Sequence, residues 1–230
     1  MPGMNPVYPN VAIVGAGAMG RGIAQIAVQA GSTVKLFDTQ PGVAVKARDA
    51  ICTQWDKLRE KGRMDAAQVA GQKTRLLAED SLGSLSDCNL VIEAVVERLD
   101  VKKALFAELE GLVSPATVLA TNTSSLSVTA IAAGLKRPQQ FAGYHFFNPV
   151  PLMKVIEVIA GLKTNPAVCV DLAAEARQRG QTPGQAQDTP GFIVNHAGRG
   201  YGTEALRIVS EGVADFATID RILRDQIGFK

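Results

Sequence analysis

No segment of this 230-residue chain has the ~18 uninterrupted apolar residues of a membrane span, so a helical membrane protein is not expected. Residues 1–10 have no basic stretch leading into a long apolar run, and no Arg-rich amphipathic character. Neither a secretory signal nor a transit peptide is expected from them. Cysteine is scarce. Cys52, Cys88 and Cys169 are far apart and odd in number, which fits neither a disulfide framework nor a metal-ligand spacing. Reduced thiols, no metal and a cytoplasmic setting are the expectation. Charge excess is also missing: 24 basic residues face 22 acidic ones, for a net charge of +2. Nucleic acid and acidic membranes are therefore not expected partners, although a local basic patch for a phosphorylated small molecule stays open. There is no internal repeat and no low-complexity tract.

What is present is an alternation of short apolar runs and amphipathic stretches. Strands are expected at 11–14, 33–37, 89–94, 117–121, 141–145 and 155–159. Helices are expected at 20–30, 43–60, 100–113, 127–133 and 168–179. In the 100–113 helix, Val101, Leu105, Leu109 and Leu112 make the apolar stripe. This pattern predicts an α/β fold, Rossmann-type and doubly wound, with a mostly parallel sheet. Residues 181–190, rich in Gln, Thr and Pro, read as a linker. Two further helices follow, at 191–212 and 217–227, the first with Gly198, Gly200 and Gly202 in its interior. Glycine there costs about 1 kcal/mol relative to alanine. The chain thus divides into a nucleotide-binding domain at 1–188 and the first helices of a truncated all-α domain at 189–230. So short a helical segment is not expected to form a good core alone.

Gly15-Ala16-Gly17-Ala18-Met19-Gly20 is a G-x-G-x-x-G run. It follows a strand, opens a helix and is succeeded by Asp38 at the end of the second strand, which is the context the motif requires. Gly15 serves a tight turn, Gly17 lets backbone approach a diphosphate, and Gly20 brings the helix close. The helix N-terminus favours the negative charge. Asp38 can accept from both ribose hydroxyls and would repel a 2′-phosphate, so NAD is expected over NADP. FAD is the weaker rival. The plainer alternative makes Asp38 a cap of the next helix.

In open α/β sheets ligands bind at the carboxyl ends of the strands. Glu93 and Glu97, the run Asn122-Thr-Ser124-Ser125, and His145 with Asn148 all follow strands in this way. Thr-Asn-Thr-Ser-Ser could instead only cap the next helix. His145 is one of two histidines and could be a satisfied buried side chain. Glu157, an acid inside the apolar run 155–159, weighs against that, because a buried carboxylate needs a partner. Lys154, three positions away, would face the opposite side of a strand, so His145 is the better partner. A histidine oriented by a carboxylate is suited to proton transfer near neutral pH.

The Gly-Ala-Gly-Ala-Met-Gly run, Asn122-Thr-Ser-Ser-Leu126, His145-Phe-Phe-Asn-Pro149 and Gly191-Phe-Ile-Val-Asn195, taken together, resemble the 3-hydroxyacyl-CoA dehydrogenase family over nearly the whole chain. The resemblance implies His145 as general base and Glu157 as its orienting acid, with Ser124 and Asn195 binding the substrate oxygens. It also implies Glu97, Lys102, Ser124 and Asn148 alongside Asp38 and the glycine turn in holding NAD. Lys61 matches a position that contacts the CoA phosphates, though Lys57, Arg59 and Arg63 are equally placed to do so. An acyl-CoA substrate and a homodimer, its dimerising domain incomplete here, follow from the same resemblance. A dinucleotide-binding module without turnover is the rival reading.

Overall fold

The computed structural model describes residues 6–229. Eight strands form one sheet: β1 (Asn10–Val14), β2 (Thr33–Phe37), β3 (Leu76–Glu79), β4 (Leu90–Glu93), β5 (Val118–Thr121), β6 (Phe141–Phe146), β7 (Val155–Ala160) and β8 (Thr182–Gln187). Their spatial order is β3-β2-β1-β4-β5-β6-β7-β8. The first six are parallel. β7 runs antiparallel to β6, and β8 lies parallel to β7. β1, β4, β5 and β6 are buried at nearly every position, which is why they read as continuous apolar runs rather than alternating ones. The order reverses between β1 and β4, and that switch point opens a crevice at the strands' carboxyl ends.

The helices are α1 (Ala18–Gln29), α2 (Val43–Glu60), α3 (Ala66–Thr74), α4 (Leu99–Leu112), α5 (Val128–Ala132), α6 (Pro166–Gln178), α7 (Val194–Ser210) and α8 (Phe216–Ile222). No helix among the described residues is long and apolar enough to cross a membrane.

Several sequence expectations are corrected. The proposed linker at 181–190 contains β8, an edge strand that hydrogen-bonds along all of β7. Pro183 and Gly184 hid it, yet proline is tolerated at a sheet edge. The pair α3–β3 was not anticipated. β3 fully buries only Leu76, so it shows no period. The start of α3 was signalled by its capping box, in which Asp65 and Gln68 exchange hydrogen bonds. The inward face of α4 is Lys102, Phe106, Leu109 and Glu110, not the stripe of Val101, Leu105, Leu109 and Leu112. Leu112 is exposed. The two charged residues turn inward because each finds buried partners. Glu110 accepts from the backbone N–H groups of Lys136 and Arg137.

The chain separates into two compact units, Met1–Pro190 and Gly191–Lys230. The core lies in the first, where Trp55, Ile13, Ile23 and Leu36 are fully buried. In the second, α7 buries none of its residues and α8 only Ile219. A groove of about 390 Å³ runs along α7 and α8, between residues such as Tyr201, Ile208 and Leu223.

Candidate active site

The glycine turn joins β1 to α1. Gly15 has φ +101°, and a Cβ there would stand 2.5 Å from the Ala94 carbonyl oxygen. A Cβ on Gly20 would fall 1.7 Å from the Gly15 carbonyl oxygen, so the first turn of α1 sits directly on the loop it leaves. At Gly17 a Cβ would meet nothing within 4 Å. The turn therefore packs tightly against protein at two glycines and opens to solvent at the third, which fits a bound diphosphate. Asp38 Oδ2 accepts from the Ala16 N–H at 2.8 Å, and Oδ1 from the Gln40 N–H at 2.9 Å. The carboxylate thus clamps the turn to the end of β2 and does not cap α2, whose N-cap is Gly42. A cleft of about 300 Å³ lies here, between Gly15, Gly17 and Asp38 on one side and Val96, Val101 and Leu105 on the other.

At the ends of β4 and β5 lies a buried ionic network. Glu93 closes β4 without any exposed surface. It receives Lys102 Nζ at 2.5 Å, the Thr121 hydroxyl at 2.7 Å and the Val95 N–H at 2.7 Å. Lys102 is itself buried and lies 3.2 Å from Glu97. Glu97 then accepts from the Thr123 hydroxyl at 2.5 Å and from the Ser124 N–H at 2.9 Å. Burial pushes the Glu97 carboxyl up, but these hydrogen bonds and the Lys102 ammonium outweigh it and hold it below the usual carboxylate range. Glu97, although exposed, ties down the loop that carries Ser124. The role of Glu93 was missed, although an acid ending an apolar strand, with a lysine nine residues on, is a readable signal. Asn122 Oδ1 accepts from the Phe146 N–H at 2.9 Å, which joins this loop to β6.

His145 and Glu157 are directly opposed on β6 and β7. Nδ1 of the ring and Oε2 of the carboxylate are 2.7 Å apart, with both side chains buried. The Phe147 ring lies beside the imidazole, centroid to centroid 4.4 Å. An acid at this place in an antiparallel pair is held by the register itself, so the imidazole is oriented through Nδ1. Asn148 follows in an exposed loop. Val150 at the loop's end packs on α1, where a Cβ on Gly22 would come 2.8 Å from Val150 Cβ.

Residues 10–189 match the NAD binding domain of 3-hydroxyacyl-CoA dehydrogenase, and residues 191–230 match the C-terminal domain of the same enzymes. The chain belongs to the 3-hydroxyacyl-CoA dehydrogenase family. It is 43% identical over 219 residues to a 3-hydroxyadipyl-CoA dehydrogenase of Escherichia coli, covering 95% of this chain and 46% of that one. A probable 3-hydroxybutyryl-CoA dehydrogenase of Deinococcus radiodurans is 39% identical over 213 residues, covering 92% and 76%. Among solved structures, (S)-3-hydroxybutyryl-CoA dehydrogenase from Ralstonia eutropha superposes with a TM-score of 0.90 at 33% identity, covering 96% of this chain and 78% of that one. The chain spans about half the length of the Escherichia coli relative it matches.

Family membership makes NAD the cofactor of the 10–189 domain. Of the residues expected to act, those of the glycine turn and the start of α1, Asp38, Glu97, Lys102, Ser124, Asn148, His145 and Glu157 all stand in the first unit, most of them at or just after strand ends, with Lys102 on α4 and Glu157 within β7. Lys102 has no exposed surface to offer a ligand; what it meets is Glu93 and Glu97. Lys61 is exposed at the C-cap of α2. Asn195 is the second residue of α7, half-buried, in the second unit. His196 beside it is exposed. Among the described residues no group of three His, Cys, Asp or Glu side chains could hold a metal ion.

Proposed function

We propose that the chain oxidises (S)-3-hydroxyacyl-CoA thioesters, 3-hydroxybutyryl-CoA among them, to 3-ketoacyl-CoA. The observation that carries this reading is the buried His145–Glu157 pair, at 2.7 Å, at the same sheet edge as the glycine turn. With Glu157 accepting from Nδ1–H, the neutral imidazole keeps its lone pair on Nε2. His145 takes the proton of the 3-hydroxyl there, and Glu157 stabilises the imidazolium that results. Bound at the glycine turn, NAD would supply the acceptor for the hydride leaving C3. In reverse, His145 returns the proton to the ketone oxygen.

The remaining roles follow from the family and from the placement of each side chain. Ser124, on a loop held by Glu97, binds a substrate oxygen, the role the family also gives to Asn195. The turn from Gly15 to Gly20 holds the diphosphate, and Asp38 the adenosine ribose. Asn148 borders the cofactor, while Glu97 and Lys102 shape the wall beside it. Lys61 meets the CoA phosphates. A boundary at 188/189, a homodimer and a cytoplasmic setting with reduced Cys52, Cys88 and Cys169 belong to the same proposal.

NADH oxidation with acetoacetyl-CoA, followed for the unchanged chain and for His145→Ala, tests it. Turnover that depends on His145 is expected. NAD binding without turnover in either protein would replace the enzyme by a binding module, and turnover surviving the substitution would remove His145 from its role.

A further inference from the structure

Asp38 borders two cavities. The first, described above, holds the glycine turn. The second, of about 270 Å³, is bounded by Asp38, Gln40, Pro41, Ala44, Glu79 and Asp80. The sheet explains this lining. Phe37 and Glu79 are register partners on β2 and β3, so Asp38 and Asp80 are the next residues beyond the same rung, at the same edge. No lysine or arginine lines the cavity. The basic side chain of β2, Lys35, is taken by Asp87 at 2.6 Å and by the Ser84 carbonyl at 2.7 Å. Asp38 itself cannot swing aside, because both its oxygens hold backbone N–H groups.

We infer that Glu79 and Asp80 join Asp38 in an acidic wall that rejects a phosphate on the adenosine ribose. Discrimination against NADP then comes from three carboxylates at the ends of two adjacent strands, not from Asp38 alone. This rests on the cofactor placement given above and extends it to residues that touch neither the diphosphate turn nor the reacting atoms. A space of about 270 Å³ is several times the ~30 Å³ share of a water molecule, so a phosphate is not excluded by size. It is excluded by charge: a phosphate monoester carries between one and two negative charges near neutral pH, and like charges a few ångströms apart repel strongly where solvent screening is incomplete. Rejection by charge weakens with salt, whereas rejection by shape does not.

Fluorescence titration of NADH and of NADPH separates the possibilities without requiring turnover. The proteins compared are the unchanged chain, Asp38→Asn, the pair Glu79→Gln with Asp80→Asn, and the triple variant, each first checked for an unaltered melting temperature. The preference for NADH over NADPH should fall by about tenfold in the pair variant, and further in the triple than in Asp38→Asn alone. For the unchanged chain the preference should narrow between about 20 mM and about 500 mM salt, with little change in the triple variant. An unchanged preference in the well-folded pair variant, or a preference indifferent to salt, would overturn the wall. Failure of NADH to bind the unchanged chain would overturn the cofactor placement itself.

Discussion

Each face of β6 buries a carboxylate, and the two are wired differently. On one face Glu157, from the neighbouring strand, meets the His145 ring at 2.7 Å. On the other, Tyr144 and Phe146 meet α6. The Tyr144 hydroxyl donates to Glu175 and to the Leu172 carbonyl. Glu175 also pairs with Arg179, one helical turn on, whose guanidinium lies 5.8 Å from the centroid of the Phe146 ring. Burial drives the Glu175 carboxyl up, and Arg179 and Tyr144 oppose it. Burial likewise pushes the Tyr144 hydroxyl well above its ordinary range. Arginine does not deprotonate in proteins, so Arg179 remains a fixed charge against Glu175. The rear group fixes where the strand lies. The front group contains an imidazole, the side chain suited to that exchange. Two acids equally out of reach of water thus have different partners, a guanidinium on one side and an imidazole on the other, and under the proposed function that partner separates position from chemistry.

The comparison breaks if the two faces respond alike to substitution. His145→Ala should lower turnover of acetoacetyl-CoA per folded molecule about a thousandfold, and taking the imidazole from beside the buried Glu157 carboxylate should also lower the melting temperature. Arg179→Met should cost stability alone. It strands Glu175 in the core and should cost about 3 kcal/mol in denaturant unfolding, with turnover per folded molecule preserved. A rate loss without a stability loss would mean that the rear group takes part in the reaction. Glu157→Gln keeps shape and burial but no longer supports the imidazolium, and a loss of roughly a hundredfold is expected. An unchanged rate would reject its orienting role.

The smallest effect sharpens the boundary between the two kinds of acid. Asp188, just after β8, accepts from Ser127, Val128 and Thr129 at the start of α5. Burial raises its carboxyl, but these donors outweigh it and leave it below the usual range, as happens at Glu97. For an acid held low, the stabilisation is complete above the unfolded value, about pH 4, and is lost as pH falls through the lower folded value. Melting temperature recorded downward from pH 6 should hold until about pH 4 and then decline. The double variant Glu97→Gln with Asp188→Asn should flatten that decline. Asp188→Ala alone should cost about 1 kcal/mol, as the loss of a helix cap does.

The readable parts of this chain were those in which one residue type has few uses. A glycine run between strand and helix, and an acid inside an apolar run, left little choice, so the fold and the His145–Glu157 pairing could be anticipated. The antiparallel direction of β7 could not, since a strand's composition does not encode its heading. β3 and β8 escaped because edge strands bury little. The α4 face was misassigned because Lys102 and Glu110 look like surface residues until their partners, Glu93 and the 136–137 backbone, are brought close by the fold. The Glu175–Arg179 pair had a signal in its spacing of four, but nothing in sequence says that such a pair is buried.

Gly22 gives a practical lesson for anyone recombining relatives of this chain. With no room for a side chain between α1 and Val150, the helix that follows the glycine turn and the loop leaving β6 have to be exchanged together. A chimera that exchanges either piece alone would join two surfaces never shaped for each other. Crossovers should carry residues 22 and 150 from the same parent.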